Sequence, residues 1–76
     1  MATARFAMDA FISAFGAHIR ALRHERELSK EEVAHRAGLH VTYLSGIERG
    51  RRNPSLKNLR RIAGALDVPV GGLSQI

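Results

Sequence analysis

The stretch SKEEVAHRAGLHVTYLSGIERG, residues 29–50, decides the fold of this 76-residue chain. Ser29 stands three residues before Glu32, which is the spacing of a capping box, where each side chain satisfies an orphan amide at the start of a helix. Gly38 can adopt the left-handed conformation that closes a helix. The first half of the stretch therefore predicts a short helix between Ser29 and Gly38.

Beyond this glycine, the apolar residues Leu44 and Ile47 predict a second helix over residues 41–49. Two helices that meet near a right angle need a small residue at their closest approach, a sharp turn, and branched apolar anchors under the second helix. Ala34, Gly38 and the Leu44 and Ile47 pair supply these features. The stretch predicts a helix-turn-helix unit, with an ordinary helical hairpin as the alternative.

Helical periodicity predicts further elements on both sides of this unit. A helix is expected from about residue 9 to residue 26, and its apolar face would consist of Phe11, Phe15, Ile19 and Leu22. Residues 1–7 show no periodicity, and we expect a flexible arm there, followed by a single domain at residues 8–76. Ser55 can cap a fourth helix, and Pro69 can open a short fifth one. The sequence predicts an all-α fold with five helices.

The charge balance of the chain favours an anionic partner. Twelve Lys and Arg residues stand against seven Asp and Glu residues, which gives a net charge of +5. Nucleic acid, anionic lipid and acidic protein all respond to such a charge, so its arrangement must decide between them. Cysteine is absent, and no apolar run is long enough to span a bilayer, so we expect a cytoplasmic protein without disulfides or thiolate metal sites.

The basic residues are concentrated after the second helix of the unit. A run without any acidic residue contains Arg49, Arg51, Arg52, Lys57, Arg60 and Arg61. Such a run is more often a solvated face than a binding site, but Arg51 and Arg52 flank the end of the predicted helix. The side of that helix opposite Leu44 carries the short residues Val41, Thr42 and Ser45. A helix of this kind can lie in the major groove of duplex DNA.

Several motifs carry a resemblance to a known family. They are SKEEVA at 29–34, AGL at 37–39, YLSGIERG at 43–50, NPSL at 53–56 and IAGAL at 62–66. By these motifs the chain is identified as a member of the Cro/Xre-type helix-turn-helix family. The segment TYLSGIER with Arg52 and Asn53 most resembles the restriction-modification controller proteins within it. The resemblance implies a compact lambda-repressor-like domain that regulates transcription, as a repressor or an activator, and binds a palindromic operator as a homodimer.

The resemblance also implies roles for individual residues. Base contacts are expected from Val41, Thr42, Ser45 and Gly46, and phosphate contacts from Ser29, Lys30, Tyr43 and Arg49. The following loop is expected to add Arg51, Arg52 and Asn53. His40 precedes the helix and is expected to cap it or to contact a phosphate. Many relatives carry a polar residue where this chain has Val41, which can only touch a thymine methyl. Arg23 and Glu48 are expected to form a structural salt bridge.

The C-terminal segment keeps apolar residues after the fourth helix, and a homodimer is expected to use Val68, Val70, Leu73 and Ile76. The alternative is that Val70 and Leu73 fold back onto the first helix. The four histidines lack the i, i+4 spacing that places two metal ligands on one helix face, so we expect neither metal nor cofactor. No constellation of nucleophile and base suggests an enzyme. An antitoxin-like protein-interaction module with accompanying DNA binding is the alternative function.

Overall fold

Five helices follow one another along residues 2–73, the part of the chain that the computed structural model describes, with side chains described from residue 9 onward. They are α1 (Ala2–Glu25), α2 (Lys30–Ala37), α3 (Val41–Glu48), α4 (Leu56–Leu66) and α5 (Val70–Leu73). No strand occurs within residues 2–73. The all-α architecture predicted from the sequence is therefore confirmed, with the helix-turn-helix unit formed by α2 and α3.

Side-chain caps fix where α2 and α4 begin. The Oγ atom of Ser29 accepts a hydrogen bond from the amide of Glu32 at 3.0 Å, and the Glu32 carboxylate accepts one from the amide of Ser29 at 3.3 Å. At the other end of α2, Gly38 has φ +69° and ψ +34°, the left-handed conformation expected there. Ser55 likewise accepts a hydrogen bond from the amide of Asn58 at 3.2 Å. The capping pattern in the sequence is thus present at both helices.

Every helix contributes to one apolar core. The largest fully buried side chains are Ile19, Val33, Leu44, Ile47, Ile62, Leu66 and Leu73. Burying a side chain of this size contributes about 1.5–3 kcal/mol to the stability of the fold. The underside of α3 is therefore held in place by packing against α1 and α2.

The backbones of α1 and α3 come into direct contact at Gly16. A Cβ atom at this position would overlap the carbonyl oxygen of Ile47 and lie 2.9 Å from that of Glu48. Since real Cβ atoms essentially never come that close to an oxygen, only glycine fits there without moving a helix. No local pattern indicates this requirement, because Gly16 lies 31 residues before Ile47. The position of α3 is set by this contact.

The N-terminal part of the chain differs from the sequence prediction. An arm was predicted at residues 1–7, whereas α1 begins at Ala2, so residues 2–7 form its first turns; residue 1 lies outside the described residues. This segment is rich in alanine, and extending an existing helix avoids the cost of nucleation. Phe11 was also expected in the core, but it is 51% exposed and stacks on the buried Phe15 with ring centroids 6.2 Å apart.

The C-terminal helix α5 folds back onto α1. Leu73 is only 1% exposed and belongs to the core, and the ring of His18 donates a hydrogen bond from Nε2 to the carbonyl of Gly72 at 2.9 Å. The prediction that Leu73 lies in a dimer interface is therefore wrong, because the fold-back buries this side chain within one protomer. Val68 is half-buried, Val70 is 37% exposed, and Ile76 lies outside the described residues.

Candidate nucleic-acid interface

An open groove of about 510 Å³ runs along the exposed face of α3. It is lined by Lys30, Glu31, Val41, Thr42, Ser45, Gly46, Arg49, Arg51 and Arg52, and we call it the α3 groove. The structure thus gathers eight of the twelve predicted DNA-contacting residues on one surface. The sequence analysis did not single out Glu31, which places one acidic side chain beside four basic ones. The groove as a whole is cationic.

A second open groove, of about 470 Å³, lies on the other side of Thr42 and Arg52. It is lined by Gly38, Leu39, His40, Thr42, Tyr43, Arg52 and Asn58, and we call it the Tyr43 groove. Because Thr42 and Arg52 line both grooves, these two side chains form the ridge between them. Both side chains are exposed, so either can contact a ligand that lies across α3.

The hydroxyl group of Tyr43 is oriented by a residue that the sequence analysis missed. The amide Nδ2 of Asn58 donates a hydrogen bond to Oη of Tyr43 at 3.0 Å. Because the phenolic oxygen acts as the acceptor in this bond, its own hydrogen remains available for an acceptor outside the domain. Asn58 lies on α4, fifteen residues from Tyr43, so no local pattern could have revealed the pair.

The end of α3 is attached to α1 by a buried salt bridge. Arg23 donates from Nε and Nη2 to the two carboxylate oxygens of Glu48, at 2.9 and 3.0 Å. Its Nη1 atom donates to the carbonyl of Leu28 at 3.0 Å. The two side chains of the bridge are only 8% and 2% exposed. The bridge expected from the family resemblance is present, and it leaves neither partner free to contact a ligand.

The loop after α3 is held by its backbone. The carbonyl of Gly46 accepts hydrogen bonds from the amides of Arg51 and Arg52, at 2.8 and 3.2 Å. Gly50 has φ +73°, and a Cβ atom there would lie 2.9 Å from the Cα atom of Ser13 on α1. Both features fix the path that carries Arg51 and Arg52 back along α3. The two arginines are thus exposed but attached to a constrained backbone.

Three other predicted residues lie outside the α3 groove. The hydroxyl oxygen of Ser29 accepts the hydrogen bond that caps α2. His40 occupies the N-cap position of α3 but makes no side-chain capping bond, so the capping role predicted for it is wrong and the phosphate contact remains as its predicted role. Asn53 is exposed and lines neither groove.

The distal half of the basic run lies away from the grooves. Lys57, Arg60 and Arg61 are exposed on α4 and line neither the α3 groove nor the Tyr43 groove. The interpretation of these three as a solvated face agrees with their placement. The cations that border α3 are Lys30, Arg49, Arg51 and Arg52.

Within residues 2–73, no helix combines the length and apolar character that a membrane crossing requires. Among the same residues, no three or more histidine or acidic side chains are grouped as metal ligands would be.

Comparison with known proteins places the chain among transcription regulators. A family model described as helix-turn-helix matches residues 19–73. The chain is 45% identical over 58 residues to the immunity repressor protein of Bacillus phage phi105, covering 76% of this chain and 40% of that protein. It is 46% identical over 55 residues to control protein C.BamHI of Bacillus amyloliquefaciens, covering 71% of this chain and 68% of that one. The chain thus spans less than half of the phage repressor and about two thirds of C.BamHI.

The fold is also similar to solved structures. The crystal structure of the restriction-modification controller protein C.AhdI from Aeromonas hydrophila superposes with a TM-score of 0.83 at 42% identity, covering 84% of this chain and 97% of that one. The clp gene regulator ClgR from C. glutamicum superposes with a TM-score of 0.78 at 30% identity, covering 83% of this chain and 82% of that one.

Proposed function

The chain belongs to the helix-turn-helix family, in its Cro/Xre-type branch, and from this premise we propose that it regulates transcription in the cytoplasm as a homodimer on a palindromic DNA operator. The observation that carries the proposal is the α3 groove. One side of α3 is buried, the other presents short side chains, and arginines follow at its end. A helix with these properties can enter the major groove while its flanks hold the phosphates.

The position of each side chain suggests a division of roles. Thr42 and Ser45 lie on the exposed face of α3, where their hydroxyl groups can meet base edges, and Val41 can contact a thymine methyl. Arg52 on the ridge has the planar fork that matches the O6 and N7 acceptors of guanine. Arg49 lies at the end of α3 and is suited to a phosphate, as is the free hydroxyl hydrogen of Tyr43.

A homodimer would contact DNA over a larger surface than a single domain can. One domain offers one α3 helix, whereas a two-fold pair presents two such helices to major grooves about 34 Å apart. With Leu73 buried in the core, Val70 is the exposed member of the predicted interface among the residues that the structure describes, and the half-buried Val68 lies next to the same helix. We place the dimer contact on the outer surface of α5.

A role as a restriction-modification controller protein is the narrower form of the proposal. It rests on the similarity to C.BamHI and on the C.AhdI structure, whose chain is covered almost completely. Such a regulator would control the genes of a restriction endonuclease and its partner methyltransferase. Expression of a reporter from promoters of such genes, with and without the protein, tests this form directly.

The proposed DNA binding is tested by selecting duplexes from a random pool with the wild-type protein. We expect enrichment of a palindromic sequence, which then shifts in an electrophoretic assay and resists competition by unrelated duplex. RNA of the same sequence and anionic vesicles should compete poorly. Failure to enrich any duplex, or equal competition by RNA, would refute the proposal.

A pair of arginine variants provides a matched control for charge. Arg49→Ala removes a cation that lines the α3 groove, whereas Arg60→Ala removes an exposed cation that lines neither groove. Both variants lower the net charge by one. Only Arg49→Ala should weaken binding to the selected duplex by several-fold at physiological salt, and equal weakening by both would indicate attraction by net charge alone.

A further inference from the structure

We infer that Gly46 is a positioning residue for Arg52, because the bare backbone of α3 at Gly46 receives the aliphatic stem of this arginine and directs it along the exposed face of the helix. The inference rests on the proposed function, in which Arg52 contacts DNA. It replaces the expectation that Gly46 itself touches a base. In this view Gly46 determines specificity through its neighbour.

The distances around Gly46 show how closely the arginine lies on the helix. A Cβ atom placed on Gly46 would lie 2.7 Å from Cγ of Arg52, 3.6 Å from its Cβ and 3.8 Å from its Cδ. Three successive carbons of the stem therefore pass over the position where any other residue carries its side chain. The closest of them, Cγ, is near the backbone and cannot move away by a change at the far end of the side chain.

The same residue also holds the backbone of the arginine. The carbonyl of Gly46 accepts hydrogen bonds from the amides of Arg51 and Arg52, at 2.8 and 3.2 Å. The stem of Arg52 thus starts from a fixed point and leaves over a fixed surface. A larger residue at position 46 cannot be accommodated by sliding the loop without breaking these bonds.

No polar group takes over this orienting role. Within the described residues, the guanidinium of Arg52 makes no hydrogen bond or ion pair, in contrast to that of Arg23, which is held by Glu48 and Leu28. Its direction is therefore set by the packing of its stem. This leaves all its donors available to a ligand while the arm that carries them is confined.

Gly46 also lies inside a helix, where glycine is an unfavourable residue. Glycine in a helix interior is less favourable than alanine, because it loses more backbone freedom on folding. Gly64 on α4 is also helical, and a Cβ atom there would meet nothing within 4 Å. The two glycines share the same helical disadvantage and differ in that only Gly46 has an arginine stem against it. Gly64→Ala is therefore the matched control for Gly46→Ala.

The experiment compares Gly46→Ala, Arg52→Ala and the double variant on the duplex selected by the wild-type protein and on unrelated duplex. Loss of a bidentate arginine contact to a base weakens specific binding by about 5- to 150-fold. We expect Gly46→Ala to lose affinity within this range for the selected duplex, with a smaller loss on unrelated duplex. Gly64→Ala should bind both as the wild type does.

The double variant separates an action through Arg52 from direct contact by Gly46. If Gly46 acts through Arg52, adding Gly46→Ala to Arg52→Ala changes specific affinity by less than about twofold, because residues that act as a unit are not additive. If Gly46 instead lets the backbone approach a base directly, the two losses multiply. Multiplying losses would overturn the inference, and so would a Gly46→Ala variant with wild-type affinity and specificity.

Melting temperatures guard against a trivial loss of fold. In the double variant the nearest remaining side-chain carbon, Cβ of residue 52, lies 3.6 Å from the new methyl group, which is an ordinary contact. If Gly46→Ala lowers the melting temperature, the double variant should restore it, and a double variant that stays equally unstable would contradict the inference. A wild-type protein that selects no duplex would refute the proposed function instead, so the two failures are distinguishable.

Discussion

Replacing Glu48 with alanine would leave the guanidinium of Arg23 buried without its carboxylate. The arginine side chain is 8% exposed, and its one remaining partner would be the carbonyl of Leu28, which carries no charge to balance it. Removing one partner of a buried ion pair costs about 3–5 kcal/mol. A domain of this size has a total unfolding free energy of only about 4–11 kcal/mol.

Loss of the Arg23–Glu48 ion pair would therefore remove a large part of the unfolding free energy of the domain. For a domain of this length, each kcal/mol lowers the melting temperature by about 4–8 °C. We expect Glu48→Ala to lower the melting temperature by at least about 12 °C, measured by circular dichroism, with a matching decrease in the urea midpoint. Arg36→Ala is the control, because Arg36 and Glu32 form an exposed pair at 4.0 Å, and its loss should cost less than about 0.5 kcal/mol.

The double variant Arg23→Met, Glu48→Leu tests whether the burial of an unpaired charge causes the predicted loss of stability. Replacing both charges by apolar side chains removes the desolvation cost together with the attraction, and such replacements are often neutral or stabilising. We expect the double variant to be more stable than Glu48→Ala alone. A cost below about 1 kcal/mol for Glu48→Ala, as for surface pairs, would refute the reasoning.

The same variant guards against a misassigned DNA contact. Glu48 lines neither the α3 groove nor the Tyr43 groove, so its removal should reduce DNA binding only through unfolding. At a temperature where the variant is fully folded, its affinity for the selected duplex should be within about threefold of that of the wild type, which corresponds to less than about 1 kcal/mol. A larger loss in the folded variant would assign Glu48 a direct role.

Three further predictions concern the proposed complex with DNA. The logarithm of affinity should fall with the logarithm of salt concentration, with a slope of about −0.9 for each phosphate neutralised, and a flat response in a salt titration would contradict this. Thr42→Ala should reduce discrimination between the selected and unrelated duplex by about 1–3 kcal/mol, whereas Arg49→Ala should weaken both equally; an identical pattern for the two in gel-shift titrations would exclude the proposed docking. Val70→Asp should shift the protein towards monomer in sedimentation velocity while its far-ultraviolet spectrum stays unchanged, and a dimer that survives would place the interface elsewhere.

The orienting hydrogen bond to Tyr43 yields one more prediction. Asn58→Ala should weaken DNA binding about as much as Tyr43→Phe, because one variant leaves the hydroxyl unoriented and the other removes it. The two changes together should therefore cost little more than either alone. The measurement is a double-mutant cycle of affinities. Fully additive losses would show that Asn58 acts independently of the tyrosine.

Local features of the fold were predictable from the sequence because short-range physics produces them. The capping box at Ser29 and the left-handed Gly38 depend on residues within a few positions of each other, so their spacing is visible in the chain. The same holds for the apolar sides of α3 and α4. Residues 2–7 were misassigned because this segment forms helix by propensity and extension, without the apolar periodicity from which helices are inferred.

Features that join distant parts of the chain could not be derived in this way. The hydrogen bond from Asn58 to Tyr43 and the contact between Gly46 and Arg52 depend on how helices pack in three dimensions. For the same reason, the fold-back of Leu73 onto α1 could be stated from the sequence only as the alternative to a dimer contact. The pairing of Arg23 with Glu48, 25 residues apart, was predictable only through family resemblance. Resemblance also assigned Gly46 to the candidate site, but it did not indicate that the residue acts through its neighbour.

The close approach of α1 and α3 at Gly16 affects how the protein and a DNA duplex can adjust to each other. With carbonyl oxygens of Ile47 and Glu48 against the bare glycine, no side chain separates the C-terminal end of α3 from α1 at this point, so this end of α3 resists displacement towards α1 when the helix meets an ill-fitting groove. In the proposed dimer, an operator whose half-sites are spaced differently from the two α3 helices must then be fitted by deforming the duplex. Sequences between the half-sites that contain flexible pyrimidine–purine steps should therefore bind more tightly than stiff ones, although no side chain touches them.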